Sequence, residues 1–239
     1  MDLRRHLADA LSAANAACGV ASTCVALAGR ADVSLLLLLA GAVCDGLDGA
    51  AARRFGGTRF GVLADDVADA ISYAIAPAVA VAVVTAGVEG TVIGVVYGAL
   101  TIARLVFFTL KKGAPDTDPG VFRGLPSTVG GVLVIAAAIL APHQPALVAF
   151  AAGMAVVLMV SFDAGFVHLG RALAELDPRR RRVVLAVAAV TVVSAAAMGP
   201  HVLASAALAT AVAYAFTPHL QSFATAIQQR QQAAPSAGP

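Results

Sequence analysis

Tryptophan is absent from the 239-residue sequence, aromatic residues make up 5% of it, and charged residues only 13%. A soluble globular domain carries about a quarter charged residues, so this deficit argues against one. The net charge of +2 is too small to suggest a nucleic-acid partner. The three cysteines, Cys18, Cys24 and Cys44, all lie in apolar runs. They have neither a zinc-site spacing nor the density of a disulfide scaffold, and read as small buried hydrophobes. His6, His143, His168, His201 and His219 are scattered near the ends of apolar segments, with no pair at metal-ligand spacing. The chain shows no internal repeat.

What the chain has in excess is apolar sequence: 59% hydrophobic residues and a mean hydropathy of +0.85. Apolar segments run over 11–29, 33–53, 61–87, 90–110, 125–141 and 145–162, and a last block, 183–217, is interrupted at Gly199-Pro200-His201. About 20 residues cross a hydrocarbon core. The expectation is an all-α integral membrane protein, a polytopic helical bundle of about eight transmembrane helices, six of them in its core. The last block forms two short helices, or one long helix kinked at Pro200, where a helix hydrogen bond is lost. Arg4 and Arg5 precede the first apolar run as in a signal peptide, but Asn15-Ala16-Ala17-Cys18 makes a poor cleavage or lipidation site, so an uncleaved first membrane helix is expected.

With the N-terminus on the cytoplasmic side, 14 of the 16 basic residues fall on that side, leaving Arg30 outside and Arg104 within a span. Such a bias orients a chain in the cell membrane. Two connectors are polar. The first, 111–124, holds Lys111, Lys112, two Pro and three Gly, which stop a helix, and its Asp116 and Asp118 read as solvated loop charges. The second, 163–182, can form a short amphipathic helix on the membrane surface, with Arg179–Arg182 as an anchor to anionic lipid. The expected organisation is a catalytic membrane core at 1–162, a cytoplasmic loop or amphipathic segment at 163–182, further membrane helices at 183–217, and a disordered tail at 218–239.

Against this apolar background, five aspartates fall within 25 residues: Asp45, Asp48, Asp65, Asp66 and Asp69. A carboxylate at the bilayer centre costs about 3 kcal/mol, so these groups must face one another, water or a cation. Asp45 and Asp48, at i,i+3, share one face of the second helix; Asp65 and Asp69, at i,i+4, share one face of the third. A short turn over Arg53–Phe60, containing Gly56-Gly57, would fold the two helices into a hairpin and bring four carboxylates together. Like charges that close need a counter-charge, and hard oxygen ligands suit Mg²⁺ or Mn²⁺. Gly46, Gly49 and Ala50 to Ala52 strip bulk from one helix face, either for a ligand lying against the backbone or for close helix packing. Arg53 offers a bidentate donor for phosphate. Asp66 reads as a loop-end or supporting charge.

The pattern Asp45-x2-Asp48-Gly49-x2-Ala52-Arg53, followed by Gly61-x3-Asp65-x3-Asp69, resembles the signature of the CDP-alcohol phosphatidyltransferases, with seven residues between Arg53 and Gly61. The family consists of integral membrane enzymes that move a phosphatidyl group from a CDP-linked lipid to an alcohol and release CMP. The resemblance implies a two-ion Mg²⁺ or Mn²⁺ site on Asp45, Asp48, Asp65 and Asp69, with Asp69 as the general base. It also implies that Gly49, Ala52 and Arg53 contact the CDP moiety and that the enzyme is a homodimer; the bias of basic residues is what turns the active site toward the cytoplasm.

Further runs resemble the bacterial and archaeal phosphatidylserine synthase branch: Leu11–Gly19 with Asn15, Ala70-Ile71-Ser72-Tyr73-Ala74-Ile75-Ala76-Pro77-Ala78, Ala103-Arg104, and Phe122-Arg123-Gly124-Leu125-Pro126. They imply transfer from CDP-diacylglycerol to L-serine. Arg104 or Arg123 would hold the serine carboxylate; otherwise Arg104 pairs with the aspartates and Arg123 snorkels to the interface. Asn15 serves the metal and CDP site or packs helices. Glycerol 3-phosphate or an inositol phosphate is the alternative acceptor, and each would need more cations than these segments hold. A cation channel or transporter is the non-enzymatic alternative, which explains the carboxylates but not the Gly-x2-Ala-Arg element.

Overall fold

The computed structural model describes residues 6–58, 60–111, 121–161, 165–167, 172–173 and 175–218. Most of the 111–124 connector, part of 163–182 and nearly all of the tail expected from 218 onward therefore lie outside the described residues. Among the described residues eight apolar helices follow one another: α1 (His6–Leu27), α2 (Ala31–Phe55), α3 (Gly61–Thr85), α4 (Gly87–Lys111), α5 (Ser127–Leu140), α6 (Pro145–Val160), α7 (Pro178–Met198) and α8 (Pro200–Ala215). The protein is an all-α, multi-pass membrane protein.

α1 to α4 and α7 are long and apolar enough to span a bilayer, whereas α5, α6 and α8 have 14, 16 and 16 residues. At 1.5 Å per residue these three reach only about 21–24 Å, short of a hydrocarbon core about 30 Å thick. Proline sets their limits. Pro126 precedes α5, and Pro145 opens α6 within its first turn. The interrupted block resolves into two helices: Gly199 adopts φ +116, which a side chain would resist, and Pro200 starts α8 afresh. α7 begins at Pro178, five residues before the expected span. Its N-cap is Asp177, whose carboxylate accepts from the Arg179 and Arg180 amides at 3.1 and 3.4 Å. Arg179–Arg182 thus form the first turn of the helix.

Two local departures shape the site. First, α2 continues through Phe55, and Gly56 caps it with its amide on the Ala52 carbonyl. Arg53 and Arg54 are therefore helical, and the turn to α3 is shorter than the expected Arg53–Phe60. Second, α3 is interrupted by a π-helical turn over Ala70–Ile75, where the Ala76 amide reaches back five residues to the Ile71 carbonyl. This wide turn lies just ahead of Pro77, which has no N–H to offer the preceding turn. The Tyr73 carbonyl finds a donor on another helix instead, the Tyr97 hydroxyl of α4 at 3.0 Å.

The core lies where α2, α3, α4, α5 and α6 meet, around Leu35, Leu38, Tyr73, Val81, Tyr97, Val134, Ile135, Val148 and Met159, all buried. α1 packs along α2 and α3 through Ala8, Ser12, Asn15, Gly19, Ser22 and Ala26, a buried stripe of small and polar residues. Such residues let membrane helices approach closely. A short antiparallel pair, β1 (Val121–Arg123) and β2 (Gly165–Val167), joins the segment before α5 to the one after α6. The buried Phe166 of β2 stacks on Tyr214 of α8, with ring centroids 5.7 Å apart. The last helix, α8, is thereby tied to the core.

Gly19 is a close point of the α1–α3 contact. A Cβ there would lie 2.5 Å from Ser72 Oγ and 2.8 and 2.9 Å from its Cα and N. Two of these three atoms are backbone, so the helices themselves would have to part. Gly19→Ala is expected to destabilise the protein by about 1–3 kcal/mol, the usual cost of overpacking. Thermal unfolding in detergent measures it, and an unchanged melting temperature would mean that α1 is not held this closely.

Candidate active site

α2 carries Asp45 and Asp48 in its C-terminal half, and α3 carries Asp65, Asp66 and Asp69 in its N-terminal half. The two halves face each other through their carboxylates, with α1 packed against both. Asp45, Asp48 and Asp65 each present a carboxylate oxygen within 4.8 Å of the other two. Oxygens on opposite sides of a Mg²⁺ ion would be about 4.2 Å apart, at 2.0–2.1 Å per bond. Three oxygens cannot all be opposite one another, and those at right angles lie about 2.9 Å apart, so the groups must draw together to share one ion; their hard oxygens suit a divalent cation. Asp48 is buried, 5% exposed, and accepts from the Ser12 hydroxyl at 2.7 Å. Asp45 and Asp65 are partly exposed, so the cluster opens outward.

Asp69 is outside this 4.8 Å group but within electrostatic range of all three. The Asn15 side-chain amide of α1 donates to its Oδ1 at 3.4 Å. Asn15 is fully buried; its Oδ1 accepts from the Tyr73 hydroxyl at 3.3 Å, and its backbone carbonyl accepts from Ser72 Oγ at 2.9 Å. Asp66 turns toward α4 and accepts from Thr109 Oγ1 at 2.9 Å, so it lies within α3 and not at a loop end. The turn after α2 is held from α1 as well: Thr58 Oγ1 donates to Asp9 Oδ1 at 3.0 Å.

Beside the trio, α2 offers an open face. A Cβ on Gly46 would meet nothing within 4 Å, and one on Gly49 would meet only the Arg53 guanidinium, at 3.2 Å. Among the described residues no helix packs on that face. Arg53 is exposed and folds back over Gly49, one helical turn before it and next to Asp48, while Ala52 is half-buried. A phosphate approaching the trio would meet a small-residue surface and a guanidinium.

Arg104 of α4 is buried, 7% exposed, with Nε donating to the Met159 carbonyl at 3.3 Å and its guanidinium 4.7 Å from the centre of the Phe108 ring. Among the described residues it forms no ion pair, so the expected alternative of a salt bridge to the aspartates is not made, although it lies within electrostatic range of Asp69. Arg123 is exposed at the end of β1, paired in register with Gly165.

Sequence reasoning missed Ser12, Thr58, Ser72, Tyr73, Tyr97 and Thr109 as parts of this arrangement. One signal was available: Ser12, Asn15, Gly19 and Ser22 recur at three- and four-residue intervals, marking a polar stripe on an otherwise apolar helix. The model of the CDP-alcohol phosphatidyltransferase family matches residues 5–162, more than half of the chain, and ends before α7 and α8. Among curated proteins, none gives a significant match.

Proposed function

The chain belongs to the CDP-alcohol phosphatidyltransferase family, and from that membership we propose that it transfers the phosphatidyl group of CDP-diacylglycerol to the hydroxyl of L-serine, releasing CMP. The observation that carries the chemistry is the convergence of Asp45, Asp48 and Asp65 beside the open face of α2. These three would hold a divalent ion, Mg²⁺ or Mn²⁺, and Asp69 is the fourth carboxylate for the family's second ion. Such ions, when bound, supply positive charge to the transferring phosphoryl oxygens. Gly49 and Ala52 leave room for the CDP moiety, and Arg53 donates to its phosphate.

Asp69 takes the proton of the acceptor hydroxyl. The freed oxygen attacks the phosphorus next to diacylglycerol, a new P–O ester forms, and the pyrophosphate P–O bond breaks with its electron pair leaving on CMP. Serine is favoured by the sequence runs shared with the phosphatidylserine synthase branch and by the few cations near the site. Arg104 is one buried cation that can meet a carboxylate, while a phosphorylated polyol would need several. The distribution of Lys and Arg supports an active site facing the cytoplasm, and the same reading includes a homodimer.

The test is CMP release by detergent-purified protein given CDP-diacylglycerol, Mn²⁺ or Mg²⁺, and serine, glycerol 3-phosphate or an inositol phosphate in turn. Metal-dependent release with serine is expected. Release only with a phosphorylated polyol would keep the aspartate chemistry and discard serine.

A further inference from the structure

Asp69 is oriented by a chain of buried groups that crosses three helices. Asn15 of α1, fully buried, directs its amide nitrogen to Asp69 Oδ1 at 3.4 Å and receives the Tyr73 hydroxyl on its oxygen at 3.3 Å. A flipped amide would turn an oxygen toward the carboxylate, so the network selects one orientation. Tyr73 belongs to the π-helical turn that directly follows Asp69, and it too is fully buried. That turn is fixed twice, by Ser72 Oγ on the Asn15 carbonyl at 2.9 Å and by the Tyr97 hydroxyl on the Tyr73 carbonyl at 3.0 Å. π-Turns inside α-helices concentrate at functional sites, where they re-aim neighbouring side chains.

We propose that Asn15 is a positioning residue for Asp69, locked in its working orientation by Tyr73 and, through the π-turn, by Ser72 and Tyr97. This assigns Asn15 to the base in place of the CDP contact, and assigns the Ser72-Tyr73 to Pro77 run to the same device. A neutral amide suits this role because it fixes one carboxylate oxygen without pairing off the charge, as an arginine would. The other oxygen is left for a proton or an ion. Only the role of Asp69 in this inference rests on the phosphatidyl-transfer reading; the linkage of Asn15 to Tyr73 does not.

The experiment uses the full chain in detergent with Tyr73→Phe, Asn15→Ala and the double variant. Tyr73→Phe removes one oxygen and keeps the ring, so it remains informative where Asn15→Ala folds poorly. Misplacing a catalytic group can cost about 100-fold. The expected losses in kcat are about 10-fold for Tyr73→Phe and about 100-fold for Asn15→Ala, with the double variant no slower than Asn15→Ala. KM for CDP-diacylglycerol should stay within about twofold, and the rise in melting temperature caused by Mn²⁺ should persist in all three. A raised KM with kcat unchanged would return Asn15 to the nucleotide and overturn the assignment.

Melting temperatures of the metal-free proteins test the linkage without any turnover. The two substitutions should be less than additive, because Tyr73 acts on Asn15, and strict additivity would overturn the linkage. An inactive wild-type protein, or full activity in Asp69→Asn, would sink the transfer reading or the base role and leave the linkage to be judged by that cycle.

Discussion

Asp69→Asn is expected to lower CMP release by about 10²–10⁴-fold, the usual contribution of a positioned base, while leaving the protein folded. The substitution is nearly isosteric, and an asparagine at 69 can still turn its oxygen to the Asn15 amide, which in the native protein lies 3.4 Å from Asp69 Oδ1. What it removes is the capacity to take a proton from the acceptor hydroxyl, together with one negative charge beside three others. Initial rates under saturating CDP-diacylglycerol and acceptor measure the loss, and a melting curve checks the fold. Undiminished turnover would rule out a base role for Asp69.

Asp45→Asn should separate the metal from the fold in a second way. Asp45, Asp48 and Asp65 offer oxygens within 4.8 Å of one another, so in the metal-free protein their charges repel. Removing one of them is expected to raise the melting temperature of the metal-free protein and to abolish the further rise caused by Mn²⁺. A ligand that binds only the folded state at about 100 times its Kd stabilises by about 2.7 kcal/mol, which is the size of the shift to be lost. Activity should fall by about a thousandfold or more, because a bound metal contributes several kcal/mol and each ~1.36 kcal/mol is tenfold. A variant that kept the whole Mn²⁺ shift would show that the trio is not the metal site.

The family and the broad architecture were legible because both are written in short-range patterns. An apolar run long enough for a bilayer marks a helix wherever it lies, and i,i+3 and i,i+4 spacings put Asp45 with Asp48 and Asp65 with Asp69 whatever the helices pack against. Helix ends were less legible. α7 begins at Pro178 because Asp177 caps it, and α5 and α6 are short because prolines bound them. Those residues were visible, but the hydropathy of the segments outweighed them.

The sequence by itself determined that this is a polytopic helical membrane protein, that its carboxylates lie on two consecutive helices, and that they must face away from lipid. These follow from the cost of a charge in hydrocarbon and from helical periodicity, which need no knowledge of the partner helix. Only the tertiary structure decided that three carboxylates converge while Asp69 takes a bond from Asn15, that Asp48 takes a bond from Ser12, and that Arg104 turns to the Met159 carbonyl. The residues in these bonds are separated by 54, 36 and 55 positions. Contacts at such range depend on the rotation and spacing of whole helices, set by close-packed points such as Gly19 against Ser72 and by the π-turn ahead of Pro77, and no local pattern encodes those.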